Sequence, residues 1–250
     1  MAVALGAFAL LPGLAVGSFL NVVAARLPER RSLLHPRSAC GSCAAPIAWY
    51  DNVPLLSYTL LRGRCRSCGT RISPLYPAVE LATAALLVAC LVSFGLTLHA
   101  AAAAVFCAAL VVITATDLTH RIVPNRVVLP AAAVVLVLMT AAEPSPEWAA
   151  AGLVASVFLL LVALAYPGGM GMGDVKLALL MGVALGRAVA VALPLGMLFA
   201  IVPAIFLLAR HGSGARKMAI PFAPFLALGS VIALFAGERL LDAYLGVLGS

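Results

Sequence analysis

Two of the nine carboxylates in this 250-residue chain stand where a carboxylate is costly. Asp117 closes an apolar run in "VVITATDLTHRIVPN", and Asp174 opens another in "PGGMGMGDVKLALLMG". An ionisable side chain at membrane depth is unfavourable unless it is paired or faces water, so each is a candidate for chemistry. Two carboxylates brought together cannot both ionise cheaply and hold one shared proton near neutral pH. The ionised member can activate water while the protonated one donates to a carbonyl oxygen, which is aspartic-protease chemistry with no metal at the reacting centre. Gly168, Gly169, Gly171 and Gly173 open backbone conformations closed to other residues and leave room for an extended substrate chain. Each aspartate alone also has a structural reading. Asp117 could cap a helix or pair with Arg121 four residues on, and Asp174 could be a helix N-cap. Both at one membrane face, one of them behind G-x-G, favour catalysis. The "GGMGMG" string is a poor nucleotide fingerprint, because it follows an apolar span rather than a strand.

A second cluster is made of sulfur. Cys40 and Cys43 in "CGSC", with Cys65 and Cys68 in "CRSC", supply four thiolates at a spacing close to that of a tetrahedral zinc site. Such a site has no open coordination position and is structural. Two disulfides are the competing reading, disfavoured if the segment faces a reducing compartment; unliganded thiols are the other. Cys90 and Cys107 lie in apolar runs and read as small buried hydrophobes.

The elements that must position these residues follow from composition. Only 10% of residues are charged, 64% are hydrophobic, and the mean hydropathy is +1.13. A soluble domain carries roughly 25% charged residues. Apolar runs near the length needed to cross a bilayer recur at about 3–25, 75–97, 100–116, 126–142, 148–166, 174–186, 189–209 and 221–245. The expected fold is therefore an all-α polytopic integral membrane protein of about eight transmembrane helices. The sixth run is short, as in a broken or partly re-entrant helix. The first lacks the features of a cleaved signal peptide and reads as a retained span. The expected organisation is a first transmembrane helix over 1–25, a four-cysteine zinc-binding loop over 26–73, and a multi-helix protease part over 74–250.

Charge orients the chain. With the N-terminus outside, every basic residue except Arg187 and Arg239 falls on the cytoplasmic side, including Arg216 and Lys217, while the loop holding Glu143 and Glu147 lies outside. The formal charge of +7 is then a topology signal, and nucleic acid is not an expected partner. Both aspartates and the cysteine loop face the cytoplasm in this arrangement.

Taken in order, these landmarks resemble the type IV prepilin peptidases, membrane aspartic proteases of the GxGD type. The similarity runs through "GSFLNVVAARLP", the loop "CGSCAAPIAWYDNVPLLSYTLLRGRCRSCGTRIS", "YPAVELAT", "TDLTHRIVPN", "GMGDVKLALLMG" and "IPFAPFLALG". The resemblance implies that Asp117 and Asp174 are the catalytic pair and that the substrates are prepilins or pseudopilins. It further implies cleavage of a short basic leader after glycine at the cytoplasmic edge of the inner membrane. Members often methylate the new N-terminus with S-adenosylmethionine, for which no cofactor-binding loop is identifiable. Where the family commonly has a basic residue before Tyr-Pro, this chain has Leu75, which puts in doubt any ion pair from that position to Glu80.

Other polar residues receive plainer readings. Glu80 contacts a substrate, a neighbouring helix, or is simply neutral. Lys176 snorkels toward headgroups or biases the charge of the pair. His120 is given no proton-transfer role. Asn21 with Gly17 and Ser18 forms a helix-packing patch, and Arg26 to Arg31 a solvated run. The alternatives in function are another GxGD intramembrane protease, a proton-coupled transporter, which would show internal repeats and midplane acids, and a zinc-loop scaffold without chemistry.

Overall fold

A computed structural model describes residues 2–166, 170–212 and 220–248 of the chain. Gly168, Gly169, Arg216 and Lys217 lie outside the described residues. The chain divides into two compact units, Met1–Leu96 and Thr97–Ser250.

In the first unit, α1 (Ala2–Arg26) packs along α3 (Leu75–Phe94), and between them lie a 3-10 turn (Trp49–Asn52) and the short α2 (Leu56–Leu60). Two apolar helices gain little from the hydrophobic effect inside lipid, so close backbone approach between small residues must hold them. A side chain at Gly17 would stand 2.7 Å from the Cα of Glu80, and one at Gly13 2.8 Å from that of Ala84. Asn21 Nδ2 donates to the Tyr76 carbonyl at 3.0 Å. The small-polar patch read on α1 is thus a packing surface. Arg26 departs from its reading. Its guanidinium donates to the Ser32, Leu33 and Pro36 carbonyls and braces the loop after α1 rather than standing free in solvent.

The second unit holds α4 (Leu98–His120), α5 (Asn125–Ala142), α6 (Glu147–Ala165), α7 (Met172–Leu185), α8 (Val189–His211) and α9 (Ala223–Leu248). Of the spans, α4 is the most buried, and its Phe106, Leu110 and Ile113 meet Leu177, Leu180 and Leu226 in the core. The Thr97 hydroxyl starts α4 by accepting the Ala100 N–H at 3.2 Å, and Arg121 ends it in the left-handed region at φ 55°. The helix therefore runs a turn further than the hydropathy suggests, and Asp117 lies inside it. Helices α6 and α7 touch through Gly152 and Gly182, where a Cβ at Gly182 would meet the Gly152 Cα at 2.6 Å and one at Gly152 the Val183 side chain at 2.6 Å.

Among the described residues there is no strand, and seven stretches are long and apolar enough to cross a membrane. The chain is a multi-pass membrane protein. One of the seven, Met172–Arg210, covers both the sixth and seventh expected spans. It is broken at Gly186–Ala188, where Gly186 takes φ +55° and lies against Glu147 and Trp148. Helix α7 is the short sixth run. A 3-10 turn joins it to α8, which runs back along α9, since Ala188 lies against Gly237 and Gly196 against Leu226.

Candidate active site

Asp117 stands in the last turn of α4 and Asp174 in the first turn of α7. They line one cavity of about 280 Å³ together with Arg121, Val123, Asn125 and Lys176. Both are nearly buried, at 7% and 9% exposure, and they are close enough for their charges to interact. The structure thus brings the two sequence-predicted carboxylates together.

Each carboxylate is met by the start of a helix, where backbone N–H groups have no partner within the helix. Asp117 Oδ2 accepts the Ala223 N–H, the first of α9, at 3.1 Å. Asp174 Oδ2 accepts the N–H of Gly171, the N-cap of its own helix, at 3.3 Å. Asp174 is therefore the third helical residue, not the N-cap. Asp117 bonds a backbone donor supplied from 106 residues away, with the charge of Arg121 nearby.

Of these glycines, the described Gly171 and Gly173 act through space rather than through unusual torsions. Gly171 is extended at φ −82°, and Gly173 is helical. A Cβ at Gly173 would come within 2.8 Å of the Val123 Cβ, so its absence lets the first turn of α7 seat on the turn between α4 and α5. A second contact joins the same pieces, since Lys176 Nζ donates to Asn125 Oδ1 at 2.9 Å. Lys176 is thus engaged at the cavity. Neither the Asn125 contact nor the Ala223 donor was foreseen from sequence. The only signal for the latter was the proline-flanked start of α9 in "IPFAPF". His120 Nδ1 lies 2.7 Å from the Thr119 hydroxyl, outside the cavity lining.

Glu80 is buried in the first unit, and its Oε2 accepts the Leu55 N–H at 2.9 Å. Its contact is therefore to the loop backbone of its own unit, with Ser18 of α1 as a further partner.

The four loop cysteines converge, with their sulfurs within 4.8 Å of one another and no disulfide formed. Each pair sits in the same backbone knuckle. The Cys40 and Cys65 N–H groups donate to the Ala45 and Thr70 carbonyls, both at 2.9 Å, while the Cys40 and Cys65 carbonyls accept from Ala44 and Gly69. Zinc–sulfur bonds of about 2.3 Å at tetrahedral angles set sulfurs about 3.8 Å apart. Cys40 and Cys68 stand at 3.8 Å, so the set fits a metal ion of that kind. The Thr70 hydroxyl, 3.2 Å from Cys68 Sγ, holds that thiol down to about 6, toward the thiolate a metal requires. Cys90 and Cys107 are buried, as expected.

Comparison with known proteins bears on both units. The Bacterial Peptidase A24 N-terminal domain matches residues 11–94, and the Type IV leader peptidase family matches residues 104–247. A protein from Bacillus subtilis is 35% identical over 93% of this chain and 95% of its own length. One from Burkholderia pseudomallei is 37% identical over 92% and 85%, and one from Pseudomonas aeruginosa 34% identical over 96% and 93%. All three carry the name prepilin leader peptidase/N-methyltransferase. No solved structure matches the chain.

Proposed function

The chain belongs to the type IV leader peptidase family, and from that premise we propose that it removes the leader of prepilins or pseudopilins with Asp117 and Asp174 as its catalytic pair. The observation that carries this reading is the meeting of two buried carboxylates, 57 residues apart in sequence, in one polar cavity of an otherwise apolar bundle. One carboxylate takes a proton from water, whose oxygen attacks the scissile carbonyl carbon, and the other gives its proton to the carbonyl oxygen. Collapse of the tetrahedral intermediate breaks the C–N bond, and a proton passes to the leaving amine. The carboxylates then return to their starting state with one proton between them. Backbone N–H groups of Ala223 and Gly171 hold each carboxylate in place during the exchange.

The proposed working parts are the first span over 1–25, a cytoplasmic loop over 26–73, and the catalytic helices within 74–250. The loop carries zinc on Cys40, Cys43, Cys65 and Cys68. The ion closes a segment that has too little apolar content to fold unaided. The protein lies in the bacterial inner membrane with its N-terminus outside and its aspartates facing the cytoplasm, which the distribution of arginine supports. The leader is short and basic and is cut after glycine.

Methylation of the new N-terminus is the proposed second activity, in keeping with the relatives' names, and S-adenosylmethionine is the expected donor. The aspartate cavity does not suit that molecule. At about 280 Å³ it falls at the small end for a cofactor pocket, and among the described residues no aromatic side chain lines it.

Mass spectrometry of a prepilin co-expressed with this enzyme tests the reading. The expected product begins immediately after the leader glycine. An unprocessed precursor beside the intact enzyme, or a cut elsewhere, overturns it.

A further inference from the structure

Residues 49–60 form a small lobe with its apolar side chains turned outward. Ser57, itself buried, fastens it: its hydroxyl donates to the Tyr50 carbonyl at 2.8 Å and accepts the Val53 N–H at 3.2 Å. Trp49 is 83% exposed, Leu60 73%, Leu56 54% and Tyr50 53%. Trp49 and Tyr50 meet edge to face, and this much exposed apolar surface on so small an element marks an interaction site.

Glu80 sets where the lobe sits. It lies five residues into α3, one of the membrane spans, and accepts the Leu55 N–H. A helical side chain leans toward the N-terminus of its helix, so the carboxylate returns to the level of the first turn of α3. Leu55 is therefore pinned where α3 enters the bilayer. Leu56 and Leu60 follow on one face of α2, four residues apart. Tryptophan and tyrosine are the residues that favour this boundary, with apolar rings and one polar handle each. The exposed Arg62 and Arg64 come directly after α2, Arg66 is paired with Asp51 beside the Tyr50 ring, and the segment 26–73 has eight arginines against Glu29 and Asp51. That balance suits anionic headgroups.

We propose that the 49–60 lobe is an interfacial anchor, with Trp49, Tyr50, Leu56 and Leu60 seated at the headgroup–acyl boundary of an anionic bilayer. The loop would then lie on the membrane instead of projecting into water. This placement is independent of the peptidase reading.

The chain has two tryptophans, Trp49 and Trp148, so Trp148→Phe isolates the reporter. The full-length variant is placed in nanodiscs of phosphatidylglycerol and brominated phosphatidylcholine. Trp49 emission is expected to fall most with bromines near the acyl carbonyls and less with bromines at the chain ends, while aqueous iodide has little effect. In the otherwise native chain, Trp49→Phe should remove the shallow-quenched component, which covers the case in which Trp148→Phe disturbs the fold. Quenching by iodide with none from brominated lipid overturns the proposal. So does lipid-independent shielding that develops only when a prepilin or another protein is added, since the lobe would then be a protein-docking face.

Discussion

Lys176 Nζ reaches Asn125 Oδ1 across 2.9 Å and so links α7, whose first turn carries Asp174, to the first residue of α5. The link closes one side of the aspartate cavity. A hydrogen bond to a charged group contributes about 1.5–3 kcal/mol, and less where water competes. Lys176→Met and Asn125→Ala are each expected to slow leader cleavage several-fold without abolishing it. The double variant should be little worse than either single one. An Asn125→Ala enzyme with unchanged turnover would show that the lysine acts alone.

Asp117→Asn and Asp174→Asn each keep an oxygen able to accept the Ala223 or Gly171 N–H, so the helix starts remain satisfied. Proton exchange is lost all the same. Cleavage should drop at least ~100-fold, in line with the loss of a general acid or base. Thermal unfolding in detergent should move little. Full activity in either variant would remove the pair from the mechanism.

Gly173→Ala places a methyl within 2.8 Å of the Val123 Cβ. Overpacking of this kind costs about 1–3 kcal/mol, and here the strain falls on the residue next to Asp174. Turnover should fall strongly, and Val123→Ala in the same chain should restore part of it. Rescue is the informative measurement, because a defect from altered torsion freedom would not respond to Val123.

Thr70 gives the metal site a pH signature. The Thr70 hydroxyl, the Thr70 backbone and the Cys43 side chain together hold the Cys68 thiol well below its ordinary range. Thr70→Val removes the first of these, and the thiol rises while the other two still hold it down. Protons then compete with zinc at higher pH, so the pH at which half the metal is lost should shift upward. Metal content across a pH series reads this directly, and replacement of Cys40 by Ser should lower retention at every pH.

Much of this architecture was legible because a bilayer permits few solutions. Apolar runs of the right length must be helices, and the starts of α3 and α8 follow within a residue or two. The paired knuckles were legible from "CGSC" and "CRSC" alone, since four thiols at that spacing have few other uses. What sequence could not show depends on contacts between distant segments. Ala223 meets Asp117 through a backbone N–H, which any residue but proline provides, so its identity carries no signal. Lys176 near a span end resembles countless headgroup-seeking lysines until the fold brings Asn125 beside it. Glu80 was ambiguous for the same reason. Its partner is the Leu55 amide, and Leu55 adopts φ 59°, a torsion rarely taken by leucine and not anticipated from its neighbours.

The brevity of α7 has its own consequence for how water reaches the scissile bond. Fourteen residues rise about 21 Å, against a hydrocarbon slab of about 30 Å. At its far end Arg187 is ion-paired with Glu238 and lies near Asp242, all three exposed, so that end must sit in an aqueous layer. The rest of α7 is buried among longer spans, so its opposite end leaves a recess inside the protein rather than a step in the lipid. Hydrolysis would proceed at the floor of that wet recess, to which a pilin helix could bring its peptide bond without leaving the bilayer.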